Sequence, residues 1–143
     1  MVIKYKKLVP DAQTPTYGSG QAAGADLYAL EGTAIPSGAT VFLKTGIAAE
    51  IPDGYMGLVF ARSGLASKRG LAPANKVGVI DSDYRGEITV AIYNHSKTDA
   101  FVEKGERIAQ LVITPYIRAE YCECSELSET ERACGGFGST GKK

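Results

Sequence analysis

Asp81, Asp83, Tyr84 and Arg85 fall within one short stretch, GVIDSDYRG from Gly78 to Gly86, and set two carboxylates, a phenol and a guanidinium side by side. A turn that presents these four groups just after the β-branched pair Val79 and Ile80 is a rigid platform for chemistry. The chain has a single histidine, His95. Mechanisms built on several imidazoles are therefore excluded, and acid–base work falls to carboxylates, tyrosines or a lysine. Taken alone, the stretch also reads as a solvated turn, because Asp and Ser are ordinary turn residues.

Four other stretches carry groups suited to a charged ligand. ARSGLA places Arg62, Ser63 and Gly64 where a strand gives way to a helical turn, so a guanidinium, a hydroxyl and free amides can converge on one anion. The plainer reading is a turn capped by Ser63. In GERIAQ, Gln110 is either an orienting amide or plain surface. RACGGFGSTG offers Arg132, the hydroxyls of Ser139 and Thr140, glycines such as Gly138 whose amides can approach a phosphate, and Phe137, a lone aromatic free to stack on a base. Such a tail is expected to be mobile when empty and to act as a lid, against the plainer reading of a frayed terminus. GFGSTGK is not a P-loop, since Lys143 stands where that motif needs Ser or Thr. Asp26 in GADL can cap a turn or help order a hydrated cation.

The elements that must position these groups are short runs rich in β-branched residues: 2–7, 25–30, 41–51, 56–61, 76–80, 87–93 and 107–116, punctuated by 17 Gly and 6 Pro. One helical turn is expected over 63–69, and the runs flanking GVIDSDYRG predict a β-hairpin with Asp81 to Arg85 at its tip. At 143 residues the chain suits one domain, all-β, with a sandwich or barrel of short strands. Sixteen basic residues balance sixteen acidic ones, so no overall field points to nucleic acid or a membrane surface. With no apolar run long enough for a signal peptide or a span, the reading is a soluble, intracellular protein. Cys122, Cys124 and Cys134 are too few and too clustered for a disulfide framework, and a zinc site has only the remote His95 to complete it.

In this order GADL, ARSGLA, GVIDSDYRG, GERIAQ and RACGGFGSTG resemble the five motifs of the homotrimeric dUTP pyrophosphatases, over 24–141. The resemblance implies an all-β, jelly-roll-like β-barrel over 1–121, a C-terminal segment and Gly-rich arm over 122–143, and three subunits with an active site at each junction. One subunit supplies the uridine platform, a neighbour the phosphate contacts and the third the arm. It further implies hydrolysis of dUTP to dUMP and pyrophosphate, which limits uracil in DNA and supplies dUMP for thymidylate synthesis. Asp81 would activate water for in-line attack at the α-phosphorus, and Tyr84 would pack beneath the deoxyribose and reject a 2′-hydroxyl. Asn75 with the backbone of Gly78, Val79 and Ile80 would read uracil. Arg62, Ser63, Gly64 and Gln110 would bind phosphate and order water, while Arg132, Phe137, Gly138, Ser139 and Thr140 would close over the nucleotide. Mg²⁺ is expected with the triphosphate, with Asp26 acting on it through water. Ala61, Ala25 and Ala133 depart from the usual pattern, and Ala133 resists the positive φ that glycine would tolerate there. Two rival readings remain at this point: a dCTP deaminase, which needs a water-activating glutamate without a clear counterpart beside GVIDSDYRG, and a non-catalytic nucleotide-binding regulator.

Overall fold

The computed structural model describes residues 1–136. In chain order they form β1 (Lys4–Lys7), β2 (Thr16–Tyr17), β3 (Ala25–Tyr28), β4 (Thr33–Ile35), β5 (Thr40–Lys44), β6 (Ile47–Glu50), β7 (Tyr55–Ala61), α1 (Ser63–Arg69), β8 (Leu71–Pro73), β9 (Gly78–Ile80), β10 (Thr89–Asn94), β11 (Ala100–Val102) and β12 (Arg107–Pro115). The strands make four antiparallel sheets, ordered β2-β3-β12-β7-β9, β5-β10-β8, β1-β6 and β11-β4. This is the expected all-β, jelly-roll-like architecture, in which most sheet neighbours are distant in sequence.

The longest ladder is β7 against β12, running from Ala61 opposite Ala109 to Tyr55 opposite Pro115. In β10 Val90, Ile92 and Asn94 are buried while the residues between them are not, which is the period of two that a half-buried strand requires. Leu27, Ile35, Leu43, Ile47, Ile51, Leu71, Ile92 and Ile108 are fully buried in one cluster. Each such side chain contributes about 1.5–3 kcal/mol by leaving water. Asn94 joins them because its amide is fully used: Nδ2 donates to the carbonyls of Ile35 and Thr98, and Oδ1 accepts from Ser96.

Three local expectations change. The run over 41–51 is two strands in different sheets, broken at Thr45 and Gly46, where Gly46 takes a φ of +69° that β-branched neighbours do not signal. The helix over 63–69 forms, but its N-cap is Arg62 in extended conformation with no side-chain cap bond, so Ser63 is the first helical residue and its hydroxyl is not spent on capping. The predicted hairpin is instead a corner. β9 pairs with β7, whereas β10 pairs with β5 and β8, so residues 81–88 cross from one sheet to another. Strand composition on both sides of the loop was right, but composition does not choose a partner; packing does.

The last strand ends at Pro115. Residues 117–134 are all exposed, among them Ile117, Tyr121 and Leu127, and the cysteines at 122, 124 and 134 are free. No helix among the described residues is long and apolar enough to cross a membrane.

Candidate active site

Asn75, Gly78, Val79, Ile80, Asp81 and Tyr84 line one cavity of about 320 Å³, with Phe42, Val59, Glu87 and the start of β10 among the rest of its wall. β9 is the edge of the five-stranded sheet, so one row of its amides and carbonyls has no ladder partner among the described residues. Ile80 is buried in the core and anchors the strand, while Val79 on the opposite face is 59 % exposed. Gly78 is a close-approach position: a Cβ there would meet Val59 Cβ at 3.2 Å and Asn75 Nδ2 at 3.4 Å, so glycine lets the Asn75 amide lie against the strand.

Asp81 follows directly and is exposed at the end of the cavity. It also borders a second, acidic cleft with Asp53, Asp83 and Arg118. Arg85 folds back on its own turn, donating to the carbonyls of Ser82 at 2.6 Å and Tyr84 at 3.0 Å. Glu87 is the second carboxylate on the cavity wall, but its Oε1 accepts the Gly46 amide at 2.8 Å. That engagement leaves Asp81 as the carboxylate open to a water molecule. Sequence reasoning missed Phe42, which reaches the cavity because β5 pairs with β10, and Glu87, which directly follows GVIDSDYRG.

The anion-binding candidates gather elsewhere. Asp26 is buried in β3, and its carboxylate accepts Arg62 Nε at 2.9 Å, Arg107 Nη1 at 3.2 Å and Gln110 Nε2 at 3.5 Å. Arg107 and Gln110 are three residues apart and would face opposite sides of a regular strand. A shift of register between Arg107 and Ala109 brings both to Asp26. Arg107 was overlooked in GERIAQ because a bulge has no reliable sequence signal. Gly24 allows Gln110 its place, since a Cβ there would stand 3.0 Å from Gln110 Cβ.

This setting does not fit Asp26 to a cation, even through water: it is buried, and both oxygens already hold guanidinium groups. Among the described residues no group of three His, Cys, Asp or Glu side chains is arranged to hold a metal ion. Its work is to hold Arg62 and Gln110. Replacing Asp26 by Ala leaves two cations and an amide without their acceptor. Because Arg107 is half-exposed and water takes over part of its solvation, the expected loss is about 2–3 kcal/mol rather than the upper range for buried pairs. Urea unfolding measures it, and an unshifted midpoint would refute the holding role.

The two constellations lie at opposite ends of β7. Gly57 pairs with Ile80, which sets Asp81 beside Met56, while Arg62 follows the other end at Ala61. At about 3.3 Å per residue, roughly 20 Å of strand separates them. Arg132 sits far along the exposed tail in a turn where its Nε donates to the Gly135 carbonyl at 2.9 Å, and Ala133 takes a φ of +42°, steadied by its amide on Thr130. Phe137, Gly138, Ser139 and Thr140 lie outside the described residues.

The family model described as dUTPase matches residues 10–141. The chain belongs to the dUTPase family. It is 50% identical to the deoxyuridine 5′-triphosphate nucleotidohydrolase of Nautilia profundicola, over 99% of this chain and 100% of that one. Among solved structures, a variant of the Staphylococcus bacteriophage 80alpha dUTPase with dUpNHpp is similar at a TM-score of 0.92 and 30% identity, over 98% of each chain. A variant of the dUTPase from phage phi11 of S. aureus, described with a structural Mg(II) ion, is similar at 0.81 and 26% identity, over 88% of this chain and 98% of that one. In this chain the cavity beside β9 and the Asp26 network remain two separate constellations at opposite ends of β7.

Proposed function

We propose that the chain hydrolyses dUTP to dUMP and pyrophosphate, with Asp81 orienting and deprotonating the water that attacks the α-phosphorus in line. The observation that carries this reading is a single cavity lined by Asp81, Asn75, Tyr84 and the unpaired edge of β9. Edge amides and carbonyls are donors and acceptors at fixed spacing, suited to the imide edge of uracil, and Asn75 adds an adjustable amide. Cytosine presents an amino group where uracil presents a carbonyl and mismatches the same edge. Tyr84 lies beneath the sugar and leaves no room for a 2′-hydroxyl.

Arg62, Ser63, Gly64 and Gln110 serve the phosphates of a neighbouring subunit's nucleotide. Two features support an assembly of three chains. The roughly 20 Å along β7 is too far for Asp81 and Arg62 of one chain to act on one α-phosphate. The tail carries Ile117, Tyr121 and Leu127 exposed at 94%, 95% and 87%, as befits a segment that finds its cover on another chain. Arg132, Phe137, Gly138, Ser139 and Thr140 then close over the nucleotide, with 1–121 as the body and 122–143 as the arm. Mg²⁺ arrives as part of the substrate, on the triphosphate oxygens, where it offsets negative charge.

The test follows pyrophosphate release from dUTP, dCTP and UTP with Mg²⁺. Release from dUTP alone is expected. No release from dUTP would sink the reading, and a uridine product from dCTP would replace it with deamination.

A further inference from the structure

Tyr84 is 46% exposed, so the core does not hold its ring. Two neighbours do. Its hydroxyl donates to the Glu87 carbonyl at 3.0 Å. The ring also lies directly over Gly86: a Cβ built there would stand 2.5 Å from Tyr84 Cζ and 2.9 Å from Cε2, inside any real contact. The Glu87 carbonyl is itself fixed, because the Glu87 carboxylate accepts the Gly46 amide at 2.8 Å and the next residue, Ile88, is bonded on both sides. Ile88 N–H donates to Ile47 at 2.8 Å, and Thr45 Oγ1 donates to the Ile88 carbonyl at 2.6 Å. The break between β5 and β6 is thereby tied to the platform under the sugar.

We propose that Gly86 and the Glu87 carbonyl are the positioning elements that set the Tyr84 ring, and through it the discrimination between deoxyribose and ribose. The proposal rests on the reading of the cavity as a dUTP site. Gly86 does not occupy the left-handed region of φ, so its backbone accepts a side chain, and the group a methyl would displace is the half-exposed end of Tyr84 rather than backbone. Gly86→Ala therefore leaves the fold intact and moves the ring. A ring displaced from this seat no longer presents the same surface to the sugar, so the contrast between deoxyribose and ribose that depends on its position falls.

The experiment measures kcat/KM for dUTP and UTP in the unmodified protein, in Gly86→Ala, in Tyr84→Ala and in the double variant. In Gly86→Ala the preference for dUTP over UTP is expected to fall by about tenfold. In the Tyr84→Ala background the second change is expected to do nothing further, because the ring it displaces is gone. A fall for both substrates with their ratio unchanged would overturn the proposal, as would a Gly86 effect that persists without the Tyr84 ring. Were Gly86→Ala not to fold, Tyr84→Phe decides: it removes only the bond to Glu87, and an unchanged ratio there also overturns the proposal. An unmodified protein inactive on dUTP would instead refute the reading of the cavity, which keeps the two failures distinct.

Discussion

Asp81→Asn binds dUTP within a few-fold of the unmodified protein and turns it over about 10²–10⁴ times more slowly. The amide keeps the shape and one acceptor of the carboxylate but cannot take a proton from water, and proton transfer by a positioned base is worth an effect of that order. Binding survives because the groups assigned to the base, sugar and phosphates are other residues, and because Asp81 is exposed and makes no side-chain hydrogen bond among the described residues on which the loop depends. Single-turnover kinetics separate the two effects, and equal losses in binding and turnover would show Asp81 to be structural. Mixing supplies a second arm. A chain with Asp81→Asn and a chain with Arg62→Ala are each expected to be strongly impaired, yet a reassembled equal mixture regains about a quarter of the normal sites, those that take Asp81 from one chain and Arg62 from its neighbour. No recovery would mean that one chain builds the whole site.

Ending the chain after Cys134 gives the second large effect. It removes Phe137, Ser139 and Thr140 while retaining Arg132. Base stacking on an aromatic is worth about 1–3 kcal/mol. Two hydroxyl donors to charged phosphate oxygens add about 1.5–3 kcal/mol each. Fixing a chain segment on a ligand costs about 2–5 kcal/mol, so the net contribution is about 2–4 kcal/mol. The expected result is a fall in kcat/KM on the order of 10²-fold. Every core residue lies before the cut, so the sheets remain and the oligomer should keep its size by light scattering. Undiminished activity would refute the lid.

Much of the fold was legible because its signals are local. The alternation in β10, the composition of β7 and β12 and the helical turn over 63–69 all follow from neighbouring residues. What failed depends on residues far apart. The Gly46 break separates two strands whose composition is continuous, and the corner after Ile80 was read as a hairpin because the preference of 87–93 for β structure says nothing about its partner. In the candidate site, Asp81 and Tyr84 were legible as motif residues and Asn75 as a residue just before the motif, and the three do share a cavity. Asp26 was given to a cation because an acidic residue at the start of a strand looks available, and only burial between Arg62 and Arg107 reveals its other task. Arg107 itself needed a bulge to reach that carboxylate.

The open edge of β9 has a further consequence. Backbone groups without a ladder partner among the described residues, proposed above to pair with a base, are equally free to pair with a strand of another molecule, which makes this edge a nucleation point for aggregation. The chain limits the risk by three local features. β9 is only 3 residues long, Lys76 stands just before it with its φ at +65°, bending the chain out of strand geometry, and Asp81 closes it with a charge. A neutral change at either flank would remove a charge that keeps a second strand from the edge, so the solubility of the protein is expected to fall in Lys76→Ala or Asp81→Asn.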